Sequence, residues 1–202
     1  DIYAFLNDLA PVRYQMDFDN AGFLVGDGSA AVEHVLLALD ITNEVIAEAA
    51  ALHAQLIVSH HPLIFTPLRH ATTDDLTGRK VLALARNGIA AVCMHTNLDI
   101  ADGGVNDALA HRLDLVQIEP LKQDGVDASG RPYGIGRIGN TVGAPMYAPA
   151  FAAFVKRQLG ANGVRYVDAR RPVRRVAVGG GACADLLSDA LALGCDTFVT
   201  AD

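Results

Sequence analysis

The sequence has no long uninterrupted apolar run, although 51% of its 202 residues are hydrophobic. A helix needs about 20 apolar residues to span a bilayer, and the chain shows neither such a stretch nor a recognisable signal peptide. Charged residues make up only 19% of the chain. This composition is typical of a globular protein with a buried core, and it excludes a largely disordered chain.

Basic residues are also few, since the net charge is −7. A nucleic-acid-binding surface needs a basic stripe, and the one basic cluster, residues 170–175, is interpreted as a solvated loop before a strand. We therefore expect neither a nucleic acid nor a membrane as a partner. Cys93, Cys183 and Cys195 are too few and too widely spaced for a disulfide framework or a cysteine zinc site. They indicate reduced thiols and a cytoplasmic location.

The most informative stretch is a short apolar run that ends in two histidines. Residues 56–58 predict a buried strand, and His60 and His61 follow it directly. Pro62 then prevents a helix and keeps the chain extended. A hydrogen-bonded turn would explain one histidine, but two imidazoles at the end of a buried strand favour a metal or catalytic site.

The same arrangement recurs along the first part of the chain. Residues 35–39 predict a strand, a helix capped by Thr42 or Asn43 follows, and residues 89–94 predict a further strand. This last strand ends in a polar stretch that contains His95 and Asp99. Because the carboxyl ends of parallel strands share one edge of a sheet, we expect these side chains to converge with the His60–His61 pair. Imidazole and carboxylate ligands suit zinc, manganese or iron, while a nearby carboxylate can instead orient a ligand.

The C-terminal part repeats the pattern of the first. Residues 192–202 match residues 51–61, which places Asp202 at the position of His61. We therefore predict an α/β fold of two similar halves, residues 1–114 and 115–202, related by internal duplication, with mainly parallel sheets flanked by helices. Residues are expected to precede Asp1 and to follow Asp202. The turn from Gly179 to Ala184 also fits a dinucleotide-binding pattern, but such glycine-rich turns are common.

Several ordered motifs resemble those of the GTP cyclohydrolase I type 2-like (Nif-three-like) family, which binds two metal ions. They are residues 19–26 (DNAGFLVG), 37–42 (LALDIT), 59–63 (SHHPL), 95–99 (HTNLD) with 104–106 (GVN), 178–181 (VGGG) and 198–202 (FVTAD). The similarity covers nearly the whole chain. Ala201 stands where the family usually has glycine.

The resemblance implies a dinuclear metal site and a ring-shaped assembly. His60, His61 and Asp99 match the family's N-terminal metal ligands, and further histidine and glutamate ligands are expected beyond Asp202. His95 is expected not to bind the metal itself but to orient a ligand or shuttle a proton. The two halves are expected to be intertwined, and six chains are expected to form a ring whose metal sites face an inner cavity.

Two functions follow from this set of residues. The first is a dinuclear metal-dependent hydrolase, in which two divalent ions activate water for attack on a small polar, nucleotide-like substrate. The second is a non-catalytic metal-binding or regulatory scaffold protein. Nothing in the sequence itself identifies guanine or any other substrate.

Overall fold

The computed structural model of the protein describes residues 1–201, so the predicted correspondence of Asp202 with His61 lies outside the described residues. The chain forms two compact units, Asp1–Leu98 and a second unit that begins at Asp99. Each unit contains a four-stranded sheet with helices, so the α/β class is confirmed. The predicted division between residues 114 and 115 stays a prediction.

The first unit is built on a sheet with the strand order β1-β4-β3-β2. Strands β2 and β3 and strands β3 and β4 pair in parallel, whereas β1 runs antiparallel to β4. The strands are β1 (Gly22–Val25), β2 (Val35–Ala38), β3 (Leu56–Ser59) and β4 (Ala90–Cys93), and the helices are α1 (Ile2–Leu9), α2 (Asn43–Ala51) and α3 (Leu76–Arg86). A short 3-10 helix follows α1 at Val12–Tyr14.

The core of the first unit explains why its central strands form where the apolar runs lie. Ile57 on β3 is fully buried and belongs to one apolar cluster with Ile46 and Ala49 on α2. Thr42 caps α2, since its hydroxyl accepts a hydrogen bond from the Val45 N–H at 3.2 Å. The predicted strand at residues 56–58 and the predicted helix cap are both confirmed. Together they fix where β3 ends and therefore where His60 and His61 lie.

The second unit has the strand order β5-β6-β7-β8. Strands β5 and β6 and strands β6 and β7 are antiparallel, and only the β7–β8 pair of this sheet is parallel. The strands are β5 (Val116–Val126), β6 (Pro132–Asn140), β7 (Arg175–Gly179) and β8 (Thr197–Thr200), and the helices are α4 (Thr96–Ile100), which begins in the first unit, α5 (Val105–Arg112), α6 (Ala148–Leu159) and α7 (Leu187–Ala192).

The prediction of mainly parallel sheets is not confirmed, because three of the six strand pairs within residues 1–201 are antiparallel. The physical reason is clearest for β5 and β6, which are joined by a short turn at residues 127–131. The Asp127 carboxylate accepts hydrogen bonds from the Ser129 N–H and hydroxyl at 2.8 and 2.6 Å and closes this turn. A connection this short permits only antiparallel pairing.

The parallel strand pairs of the two units have matching registers. In the first unit, residues 35–38 pair one to one with residues 56–59. In the second unit, residues 176–179 pair one to one with residues 197–200. Neither ladder contains a bulge. Each unit therefore contains at least one strand–helix–strand segment with this pairing.

A buried ion pair stabilises the second unit. Arg137 on β6 is only 4% exposed, and its Nε and Nη2 donate to the two carboxylate oxygens of Asp107 at 2.6 and 2.8 Å. The same guanidinium donates to the carbonyl oxygens of Gly134 and Gly136 at 2.8 Å. These bonds attach the first turn of α5 to the sheet, because Asp107 lies in that turn.

Within residues 1–201, no helix combines the length and the apolar character needed to cross a bilayer.

Candidate metal centre

Three imidazoles meet at one edge of the first sheet. His60 and His61 follow β3, and His95 follows its parallel neighbour β4, so all three leave the sheet at the carboxyl ends of adjacent strands. Their ring centroids lie 5.1 to 5.8 Å apart. One nitrogen of each ring lies within 4.8 Å of a nitrogen of the other two. We call His60, His61 and His95 the imidazole cluster; it can hold a metal ion.

The orientation of the first two rings is set through their Nδ1 atoms. His60 Nδ1 donates to the backbone oxygen of Met94 at 2.9 Å. His61 Nδ1 donates a hydrogen bond to the Asp40 carboxylate at 2.8 Å. An acceptor at Nδ1 selects the tautomer whose Nε2 carries the lone pair, and this is how metal-binding histidines are usually held.

The third ring is held by a buried carboxylate. The side chain of Asp19 is 0% exposed and accepts a hydrogen bond from His95 Nδ1 at 2.8 Å. It also accepts hydrogen bonds from the Thr96 N–H at 3.0 Å, from the Thr96 hydroxyl, and from the Asn20 N–H at 2.7 Å. Burial alone would raise the pKa of Asp19, but these bonds from Thr96, His95 and Asn20 together hold that pKa below its ordinary value. Asp19 is therefore an ionised group that fixes the His95 ring.

The donor set fits a divalent metal. Two nitrogens on one zinc ion with bonds of about 2.0–2.1 Å lie at most about 4.2 Å apart, so separations up to 4.8 Å require only small side-chain movements. Three imidazoles with engaged Nδ1 atoms supply the nitrogen ligands that zinc and iron prefer. The nearby thiol of Cys93 is a poor ligand, because burial, helped by the Asp19 charge, raises its pKa to about 12.

Asp99, the fourth residue that we expected at this edge, begins the second compact unit. Its proximity to the imidazoles therefore stays a prediction, as does its role as a ligand. Within its own unit Asp99 is 7% exposed, and its backbone oxygen accepts a hydrogen bond from Asn106 Nδ2 at 2.9 Å. Asn106 Oδ1 in turn accepts from the Gly180 N–H at 2.8 Å. Asp99 is thus held beside the glycine-rich turn after β7.

The glycine-rich turn offers little to a dinucleotide. Its Gly180 N–H is used by Asn106, and the Gly181 oxygen accepts from the Thr200 hydroxyl at 2.8 Å. The turn leads into a 3-10 helix at Ala184–Leu186 and not directly into the α-helix whose N-terminus would face a pyrophosphate. A side chain on Gly180 would also meet Val105 at 3.1 Å. These contacts give the turn a structural role within the unit.

Sequence reasoning did not assign roles to Asp19 and Asp40. In the sequence alone, the stretch around Asp19 is typical of a tight turn, and Asp40 directly follows the predicted strand at residues 35–39. The available signal was that each aspartate lies inside one of the motifs that carry the family resemblance. The partners themselves could not be found locally, because Asp19 and His95 are 76 positions apart.

We expect the substitution Asp19→Asn to weaken metal binding by about 10–100-fold, the usual effect of losing a partner that orients a metal-binding histidine. Asparagine keeps the size of the side chain, but it is uncharged and its amide group is a donor that faces the donors of Thr96 and His95. Asp17→Asn is the matched control, because Asp17 is exposed and the charge change is identical. Competition with a chromophoric chelator measures the zinc affinity, and equal affinities for the two variants would contradict the role of Asp19.

The chain is similar over its whole length to proteins of one family. The model of the Duf34/NIF3 (NGG1p interacting factor 3) family matches residues 1–202. A Clostridium perfringens protein named GTP cyclohydrolase 1 type 2 homolog is 37% identical over 203 residues, which cover all of this chain and 76% of the relative. A Streptomyces coelicolor protein of the same name is 38% identical over 205 residues, which cover all of this chain and 71% of the relative.

Solved structures share the fold. A Bacillus cereus protein described as related to NIF3 aligns with a TM-score of 0.89 at 27% identity, over all of this chain and 81% of its own. A hypothetical protein of Staphylococcus aureus aligns with a TM-score of 0.90 at 30% identity, over all of this chain and 78% of its own. The resemblance stated from the motifs is confirmed, and the chain belongs to the Duf34/NIF3 family.

Proposed function

We propose that this protein is a dinuclear metal-dependent hydrolase that acts on a small polar, nucleotide-like substrate. The observation that carries the proposal is the imidazole cluster, in which all three Nδ1 atoms are engaged by acceptors. Such an arrangement is costly to build for a structural role alone, because each ring nitrogen needs its own partner. The name of the curated relatives, GTP cyclohydrolase 1 type 2 homolog, supports a nucleotide-like substrate.

The proposed ligands are His60, His61 and Asp99, with His95 either as a further ligand or as a group that orients one. The geometry favours ligation by His95, since its nitrogen lies within 4.8 Å of those of the other two histidines. Asp99 follows His95 by four positions and would supply the carboxylate. We expect the remaining histidine and glutamate ligands beyond Asp202, and zinc, iron or manganese as the two ions.

The residues of the chain have separate tasks in this proposal. When bound, divalent ions supply Lewis acidity and lower the pKa of water. Asp40 and Asp19 hold His61 and His95 in the tautomer that leaves Nε2 for the site. His95 is partly buried, with its side chain 20% exposed, so solvent reaches the cluster mainly past His61, whose side chain is 46% exposed. Substrate would approach from that side.

A second candidate function is a non-catalytic metal-binding or regulatory scaffold. The description of the matching family as an interacting factor favours it, since that name refers to a binding partner and not to a reaction. In either case we propose a cytoplasmic protein that assembles into a homohexameric ring.

We also infer that the two units arose by internal duplication. Besides the matching registers, the residue before β3 in the first unit and the residue before β8 in the second unit make the same hydrogen bonds. Gln55 accepts hydrogen bonds from two consecutive backbone N–H groups at the start of β2, and Asp196 does the same at the start of β7. His53 and Gly194, two positions earlier, both have a positive φ, 52° and 73°. Such a detailed match is expected of copies and not of independent segments.

A turnover assay on the metal-loaded protein separates the two functions. The full-length protein is loaded with zinc, iron or manganese and incubated with GTP and a panel of other nucleotides, and products are followed by liquid chromatography. If the protein is a hydrolase, we expect product formation that depends on the metal and that is reduced in the Asp19→Asn variant. Full metal occupancy without any product from the panel would favour the scaffold.

A further inference from the structure

The residues that follow the histidine pair in the sequence form an open cleft. It has a volume of about 740 Å³ and is lined by residues of the segment between Leu63 and Thr77, including Phe65, Pro67 and Leu68. Small-molecule sites have volumes of about 300–1,000 Å³ and combine apolar walls with a few polar groups. The lining also contains polar and charged residues, among them Thr66, Arg69 and Asp74. The cleft therefore has the size of a small-molecule site.

Phe65, which lines the cleft, packs against a second exposed phenylalanine, Phe18. Phe18 and Phe65 are 60% and 51% exposed, and their ring centroids lie 6.4 Å apart at an angle of 58°. We call this pair the aromatic corner. The rings touch each other and leave more than half of their surface to solvent, which is unusual for side chains with so much apolar area. The aromatic corner therefore presents ring surface that packing within the chain does not use.

The aromatic corner is fixed beside the imidazole cluster. Phe18 precedes Asp19, whose carboxylate holds His95, and Phe65 is four positions after His61. Asn20 Nδ2 donates to the backbone oxygen of Ile64 at 2.6 Å and so joins the two segments that carry the rings. Because consecutive Cα atoms are about 3.8 Å apart, Phe18 lies within one small molecule's length of the imidazoles.

We propose that Phe18 and Phe65 bind the planar aromatic or heteroaromatic ring of a small-molecule substrate whose polar end reaches the imidazole cluster. This inference rests on the proposed function, because it takes metal at the cluster to hold the polar end. A planar ring stacks on one phenylalanine face while the other ring contacts its edge, as the 58° angle allows. The remaining volume of the cleft accommodates the rest of the ring system. Phe18 and Phe65 are thus specificity residues that select substrates with a ring.

The test compares two probes, of which only one carries a heteroaromatic base. Guanosine monophosphate and ribose 5-phosphate share the sugar and the phosphate, and the guanine nucleotide is chosen because the curated relatives carry GTP in their name. Binding to the metal-loaded, full-length protein is measured by calorimetry for the wild type, Phe18→Ala, Phe65→Ala and Phe5→Ala. Phe5, on α1, is the matched control because it is 65% exposed and lies outside both the cleft and the aromatic corner. Metal content is measured for every sample.

We expect Phe18→Ala and Phe65→Ala each to weaken guanosine monophosphate binding by about 10-fold, the effect of one lost stacking contact. Binding of ribose 5-phosphate and metal content should not change, and Phe5→Ala should behave as the wild type. Equal losses for both probes, or unchanged nucleotide binding by the two variants, would overturn the inference. So would a wild type that binds no nucleotide, or variants that change oligomeric state and not nucleotide binding. A wild-type protein that takes up no metal would instead contradict the proposed function.

Discussion

Replacing His60 and His61 together by alanine is expected to abolish metal binding and to leave the protein folded. The double substitution removes two of the three imidazoles in the cluster, and the donors that remain are too few to retain a divalent ion against a chelator. The fold does not depend on these rings, because the core of the first unit consists of apolar residues such as Ile57 and Leu84, both fully buried. The lost hydrogen bonds at Nδ1 should cost only about 1 kcal/mol each.

Metal content by mass spectrometry and the melting temperature by circular dichroism check this expectation on the full-length protein. The double variant His34→Ala and His111→Ala is the matched control, since both of these histidines are exposed and lie outside the cluster. The control should keep the metal of the wild type. Retained metal in the His60 and His61 variant would place the site elsewhere, and an unfolded spectrum would show that the histidines are structural.

Substituting Asp107 by alanine is expected to produce the largest loss of stability in the second unit, about 3–5 kcal/mol of unfolding free energy. The change leaves the Arg137 guanidinium, which is 4% exposed, without the carboxylate that neutralises it. It also removes the acceptor of the Gly103 N–H, which lies 2.8 Å from Asp107. A loss of this size is a large part of the 5–15 kcal/mol by which a domain is typically stable.

Asp102→Ala is the control for this prediction, because Asp102 also pairs with an arginine of the second unit. Its partner Arg131 is 66% exposed and Asp102 is 77% exposed, so solvent screens the pair. Exposed pairs contribute at most about 1 kcal/mol. Urea unfolding of both variants measures the difference, and similar midpoints would show that burial of the Arg137–Asp107 pair has no special energetic weight.

The local parts of the fold could be predicted from the sequence. The apolar run at residues 56–58 and the Thr42 cap are short-range signals, and both elements form where these signals lie. The grouping of His60 and His61 with His95 followed from a general property of parallel strands, whose carboxyl ends share an edge. For Asp99 the same reasoning remains a prediction.

The long-range parts could not be predicted. Strand β1 pairs antiparallel with β4 although the two are far apart in the chain, and no local pattern encodes that choice. The burial of Arg137 has no local signal in the sequence, because it depends on Asp107 in a different element. Asp19 was missed for the same reason, since a carboxylate in a glycine-flanked turn has a tight turn as its simplest explanation. Its role becomes visible only beside His95.

Anomalous scattering at the metal absorption edge tests the central claim most directly. Crystals of the full-length protein loaded with zinc are measured above and below the zinc edge. The imidazole cluster predicts an anomalous peak at bonding distance, about 2.0–2.1 Å, from the Nε2 atoms of His60, His61 or His95. A fully loaded protein whose anomalous peaks lie away from all three imidazoles would contradict the proposed metal centre.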